Sequence, residues 1–130
     1  MKRVTSIVIL ALLAAMISMA PGAAAAAVFK IGGLASLQSG YGQSMVSGAA
    51  LAIEEINAAG GVNGIKFEID WQDTEANASI GRTAAQKLIY GSKVDAILGC
   101  HASTVVLAIE GLVKSANVLE VAMGSATAVT

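Results

Sequence analysis

The chain has 130 residues, eight of them basic and nine acidic, with a single cysteine and a single histidine. One cysteine excludes an internal disulfide, and one Cys with one His cannot supply the roughly four side-chain ligands of a structural zinc site. A near-neutral balance without a basic cluster argues against nucleic acid or an anionic membrane as partner.

The N-terminal stretch MKRVTSIVILALLAAMISMAPGAAAA begins with Lys2 and Arg3, continues through apolar Val4–Ala20 and leaves through Pro21, Gly22 and a tract of alanines. A basic start, a short apolar core and small residues at the exit describe a secretory signal peptide over residues 1–26, with cleavage near Ala26. Val4–Ala20 is close to the lower length limit of a membrane span; the alanine-rich exit favours cleavage, and no cysteine follows that could carry a lipid. Lys2 and Arg3 belong to this leader, leaving six basic residues against nine acidic ones in residues 27–130. The chain ends at GSATAVT directly after an apolar run, which reads as the N-terminal part of a larger lobe.

After the leader, strands and helices alternate. VFKIGGL (Val28–Leu34) reads as a buried strand, and ASLQSGYGQS as a polar loop. From Met45 the positions Met45, Ala49, Ala52, Ile53 and Ile56 follow helical spacing, until Gly60 and Gly61 supply a helix stop. Ile65, Phe67, Ile69 and Trp71 alternate with polar residues, the pattern of a strand with one buried face, as at a sheet edge. Asn77 or Ser79 is placed to cap a helix carrying Ile80, Ala84, Leu88 and Ile89 inward. VDAILG is a third strand, Ser103 or Thr104 caps a helix with Val105, Ala108, Ile109 and Leu112 on one face, and VLEVA is a fourth strand. The succession predicts an α/β lobe with a parallel sheet and right-handed crossovers.

In such a sheet, ligands bind beyond the carboxyl ends of the strands, so four loops matter: those after Leu34, Trp71, Gly99 and Ala122. The first contains Gly40 and Gly42 but has Met45 where a third glycine would stand, and no Gly-Lys-Ser/Thr occurs, so nucleotide binding is not indicated. Tyr41, flanked by glycines, is either a pocket aromatic or a surface tyrosine. In the second loop Asp73 reads as a loop brace and Glu75 as solvated. Cys100 and His101 are adjacent, and neighbours in an extended segment point to opposite sides, so a thiol–imidazole nucleophile is not expected. Cys100 reads as a small residue filling the strand end, and His101 as a pocket-rim or surface residue. Ser103 at a helix start suits an anion such as a carboxylate, or plain N-capping. Ser125 and Thr127 offer hydroxyls at the next strand end. No general base with a partner appears, so the loops suit binding rather than turnover.

The residues IGGLASLQSGYGQSMVSGAALAIEEINAAGGVNG, the serine of GCHASTVV and the closing GSATAVT together resemble the periplasmic substrate-binding proteins of branched-chain amino-acid ABC transporters, of the type I fold that also includes amide, urea and aromatic-acid binders. GAALAIEEINAAGGVNG is the most specific stretch, and the resemblance covers Val28 to Thr130. It implies two α/β lobes closing by a hinge on a small ligand, with residues 27–130 forming the N-terminal part of the first lobe, no cofactor and no metal, and an inner-membrane permease as partner. It further implies that Ser103 binds the ligand carboxylate through hydroxyl and backbone N–H. Thr127 would hold carboxylate and ammonium, Ser125 would accept from the ammonium through its carbonyl, and Tyr41 would pack on the ligand side chain. Some leucine-binding members carry a disulfide between the second and third loops, which Cys100 alone cannot form. The implied function is an extracytoplasmic solute receptor; a sensor of amide- or urea-type ligands with the same fold, and a Cys100-dependent enzyme, are the alternatives.

Overall fold

The computed structural model describes residues 27–125. The leader and Thr127 lie outside them. Four strands, β1 (Val28–Ala35), β2 (Lys66–Asp73), β3 (Ala96–Leu98) and β4 (Leu119–Val121), form a single sheet in the order β2-β1-β3-β4. Every pairing is parallel, with Ile31 opposite both Ile69 and Ala96, and Ile97 opposite Glu120. Three helices, α1 (Gly40–Ala58), α2 (Ala78–Gln86) and α3 (Ser103–Ala116), make the connections. A π-helical turn over Lys87–Ser92 prolongs α2 and ends at Lys93, whose backbone is left-handed.

This order decides where the helices lie. Right-handed crossovers from β1 out to β2, and from β2 back across β1 to β3, put α1 on one face and α2 with α3 on the other. The second face holds the main core: Leu34, Ile97, Leu88, Ile89, Val105, Ile109, Leu112 and Val113 are all buried there. On the first face α1 packs over β1 and β2, where the rings of Phe29 and Phe67 meet at 5.2 Å. β2 is the sheet edge that its alternating sequence indicates, with Phe67, Ile69 and Trp71 half-buried.

Local chemistry sets the helix ends. Asn77 caps α2 by accepting from the N–H groups of Ser79 and Ile80. Gly60 and Gly61, at φ of 104° and 81°, turn the chain out of α1; few other residues adopt that conformation cheaply. Several positions expected inward from spacing are corrected: Ala52 and Ile56 on α1, Ile65 before β2 and Ile80 in the first turn of α2 are exposed, and Ala108 is only half-buried.

Glu120 stands on β4 level with the buried Ile97 of β3. Its Oε1 is shielded from solvent and has no hydrogen-bond partner among the described residues. Burial, and then the charge of Glu110 on α3, hold its carboxyl above the usual glutamate range. A raised acid makes the folded state prefer the proton. The penalty is therefore absent below the unfolded value, grows as pH rises between the unfolded and folded values, and is complete above the latter. Glu120→Gln is expected to raise stability at neutral pH and to leave it nearly unchanged in acid. Urea denaturation at both conditions checks this, and equal shifts at the two would contradict it.

Candidate functional site

β1 leads the chain to β2 on one of its edges, while β3 pairs on the other, so the crevice between the ends of β1 and β3 is the topological switch point of the sheet. The loop leaving β1 is short, Ser36 to Ser39. The Ser39 hydroxyl accepts from the Gly42 N–H at 3.0 Å and donates to the Ser36 carbonyl at 2.8 Å, which starts α1 at Gly40. Tyr41 thus stands in the first turn of a helix and not in the loop expected from its glycine neighbours. Gly42 is there for close approach: a Cβ would lie 2.0 Å from the Ser36 carbonyl oxygen.

The Tyr41 side chain is 80% exposed. Its ring nonetheless stacks on that of His101, which lies beyond the end of β3, with centroids 5.9 Å apart and planes 30° from parallel. The start of α1 and the loop after β3, which flank the switch point, are therefore joined by a pair of rings. His101 Nδ1 is shielded and has no hydrogen-bond partner among the described residues. Cys100 turns the opposite way: it is fully buried, with Sγ 3.6 Å from the Thr74 hydroxyl. The imidazole thus faces Tyr41 while the thiol faces Thr74. This buried contact joins the second and third loops.

Ser103 is the first residue of α3. The N-cap is Ala102, which makes no side-chain capping bond, so the expected capping by Ser103 or Thr104 is corrected by one position. The helix starts earlier because the Ala102 carbonyl already accepts from Val105 and Val106. Ser103 Oγ is engaged across the sheet instead, accepting from the Ser125 N–H at 3.1 Å. The ends of β3 and β4 are thereby brought together, with the positive end of the α3 dipole beside them. The structure places Tyr41 with His101, and Ser103 with Ser125; Thr127 lies beyond the described residues.

Asp73 ties the first two loops, its Oδ1 accepting from the N–H groups of Leu37 and Glu75 at 3.1 and 2.9 Å. Among the described residues no group of three or more His, Cys, Asp or Glu side chains could hold a metal ion. A hollow of about 290 Å³ lies elsewhere, lined by Lys30, Glu68, Asp70, Ser92 and Val94. The Tyr41–His101 stack and the burial of Thr74 are not readable from the sequence, since no local signal announces either. Ser39 as a cap could have placed Tyr41 on the helix.

Residues 28–130 match the sequence profile described as periplasmic binding protein. No curated protein sequence matches the chain. Solved structures do. The branched-chain amino acid transporter substrate-binding protein of Streptococcus pneumoniae, in complex with isoleucine, is 27% identical with a TM-score of 0.63, over 75% of this chain and 29% of that one. A solute-binding protein of an ABC transporter from R. palustris, in complex with 4-hydroxybenzoate, is 26% identical with a TM-score of 0.68, over 77% and 28%. An ABC transporter substrate-binding protein from Desulfitobacterium hafniense is 25% identical with a TM-score of 0.67, over 73% and 28%. The matched region thus spans under a third of the length of each of these structures.

Proposed function

The chain belongs to the periplasmic binding protein family, and from that premise we propose that it serves as the extracytoplasmic solute-binding component of an ABC transporter. The ligand is a small carboxylate-bearing solute, an amino acid of the branched-chain type or a related acid or amide, taken up at the switch-point crevice and delivered to an inner-membrane permease. The leader over residues 1–26 directs the protein to the periplasm. The role is binding, without turnover: the buried Cys100 thiol and the His101 ring point apart.

The observation that carries the reading is the bond between Ser125 N–H and Ser103 Oγ at the mouth of α3. It draws the two residues assigned to the ligand by family resemblance onto one point. There α3 begins, with its positive dipole end at the same point. A carboxylate at that point accepts from the Ser103 hydroxyl and backbone N–H, and the helix dipole favours its charge. Thr127 adds a second hydroxyl to the clamp, the Ser125 carbonyl accepts from a ligand ammonium, and Tyr41 covers the ligand's remaining surface.

Ser103→Ala in the full-length polypeptide is expected to weaken ligand binding by about 1.5–3 kcal/mol, the range for a hydrogen bond to a charged group. Titration calorimetry with L-isoleucine and 4-hydroxybenzoate measures it. Unchanged affinity for whichever of these binds would remove Ser103 from the site. A sensor that takes uncharged amides is the second reading, favoured if an amide binds as tightly as the matching acid.

A further inference from the structure

We propose that Asp73 is a positioning residue of the ligand site: it touches no ligand, and its carboxylate holds the turn after β1 so that Tyr41 is already in place when a ligand arrives. The inference rests on the reading above, in which Tyr41 covers part of the ligand.

Asp73 closes β2 in register with Ala35, the last residue of β1. By strand alternation it shares a face with Phe67 and Trp71, the face on which α1 lies. The chain leaving Ala35 therefore passes the carboxylate at once, and Leu37 N–H donates to Asp73 Oδ1 at 3.1 Å.

The turn that contains Leu37 is closed on itself. The Ser39 N–H and the Ser39 hydroxyl both donate to the Ser36 carbonyl, at 3.0 and 2.8 Å. Gly42 N–H donates back to Ser39 Oγ, and Gly42 lies so near the Ser36 carbonyl that no Cβ fits between them. Tyr41 belongs to the helical turn that grows from this knot, so a shift at Leu37 is passed on to Tyr41. The ring is mostly exposed, and its stack on His101 gives it little packing of its own. Its place is set by the backbone that carries it. A ligand that meets an aromatic already in position does not lose affinity to ordering it.

Backbone strain gives independent support. Asp73 Oδ1 also accepts from Glu75 N–H at 2.9 Å. Glu75 and Ala76 both have left-handed backbone, with φ of 48° and 52°, a conformation that residues with a Cβ adopt at a cost. Thr74 holds the pair: its carbonyl accepts from Asn77 N–H at 2.8 Å and its hydroxyl from Ala76 N–H at 3.4 Å. Strain of this kind persists where surrounding bonds over-determine it, and it concentrates at ligand clamps. Here it brings Glu75 N–H back onto the same oxygen that receives Leu37.

Calorimetry on the full-length polypeptide, with L-isoleucine and 4-hydroxybenzoate as probes, tests this. Asp73→Ala is expected to weaken whichever probe binds by about tenfold, with the number of sites per chain unchanged. Asp73→Asn keeps an Oδ1 acceptor and should stay within about threefold of the parent. In a Tyr41→Ala background, Asp73→Ala should cost less than about twofold. An equal cost in both backgrounds, or fewer sites per chain at unchanged affinity, would show a brace for the fold alone and overturn the inference. So would an Asp73→Asn protein as weak as Asp73→Ala. Tyr41→Ala without effect, while Ser103→Ala weakens binding, would overturn it and leave the carboxylate clamp standing. Binding of neither probe to the parent would overturn both.

Discussion

Gly99→Ala is expected to destabilise the protein by about 2–6 kcal/mol, the combined range for a strained backbone conformation and an overfilled interior. Gly99 follows β3 directly at a φ of +105°, where a side chain is strained whatever space surrounds it. A Cβ there would also lie 2.3 Å from the Leu34 carbonyl oxygen and 2.6 Å from Met45 Cε. The methionine can swing aside, but the carbonyl cannot. It belongs to β1, whose position is fixed by hydrogen bonds to β2 and β3. Gly99 in addition donates to the Val121 carbonyl at 2.9 Å, so displacing it loosens β4 as well. Gly48→Ala on α1 is the control: apart from its chain neighbours and the helix's own backbone, nothing among the described residues lies within 4 Å of the added methyl group, and a glycine inside a helix gives way to alanine with a gain of about 0.5–1 kcal/mol. Denaturant melts of the two variants should move in opposite directions. A Gly99→Ala protein as stable as the parent would show that the end of β3 can be rebuilt.

The second large effect is expected at Leu88. Its side chain is fully buried in the π-helical turn after α2 and lies directly over the Cα of Gly32. A Cβ at Gly32 would be 2.9 Å from Leu88 Cδ1 and equally close to Ile97 Cδ1. Leu88→Ala removes this filling and should cost about 2–5 kcal/mol; Leu88→Met, close in volume, should cost less than about 1.5 kcal/mol. The geometry gives a sharper signature as well. Leu88→Ala removes the 2.9 Å contact of a Gly32→Ala methyl with Leu88 Cδ1 while Ile97 Cδ1 and the Cβ of residue 88 stay close, so the double variant should be more stable than the sum of the single changes requires. Strict additivity would show that the two positions do not share this space.

The sheet is legible in the sequence because strand periodicity is local. Ile65 to Trp71 alternate cleanly, and this marks both a strand and its place at the edge. The helix stop at Gly60 and Gly61 and the cap at Asn77 are legible for the same reason, since each acts on residues within one turn. Tyr41 belongs to a helix rather than a loop, although Gly40 and Gly42 look like loop glycines. Gly42 is instead required by the approach of the Ser36 carbonyl, a contact invisible in a one-dimensional pattern. The start of α3 falls one residue earlier than the hydroxyls of Ser103 and Thr104 suggest, because Ala102 is also compatible with a helix start. Which residue becomes the cap depends on where the chain leaves β3. The Tyr41–His101 stack and the Thr74–Cys100 contact join residues 60 and 26 positions apart. Both depend on the strand order, which no single segment encodes.

That strand order also fixes a sequence of events in time. Among the described strands β1 comes first in the chain, and both of its edges depend on residues that follow it. Its edge toward β2 can be paired once residue 73 is available, and a β-α-β unit with α1 can then form. Its other edge waits for residues 96 to 98, which follow α2 and its π-helical turn. A chain that emerges from its N-terminal end therefore keeps one edge of β1 unpaired until residue 98 has followed. The crevice that holds Tyr41, His101 and Ser103 is thus assembled only at the second of these closures.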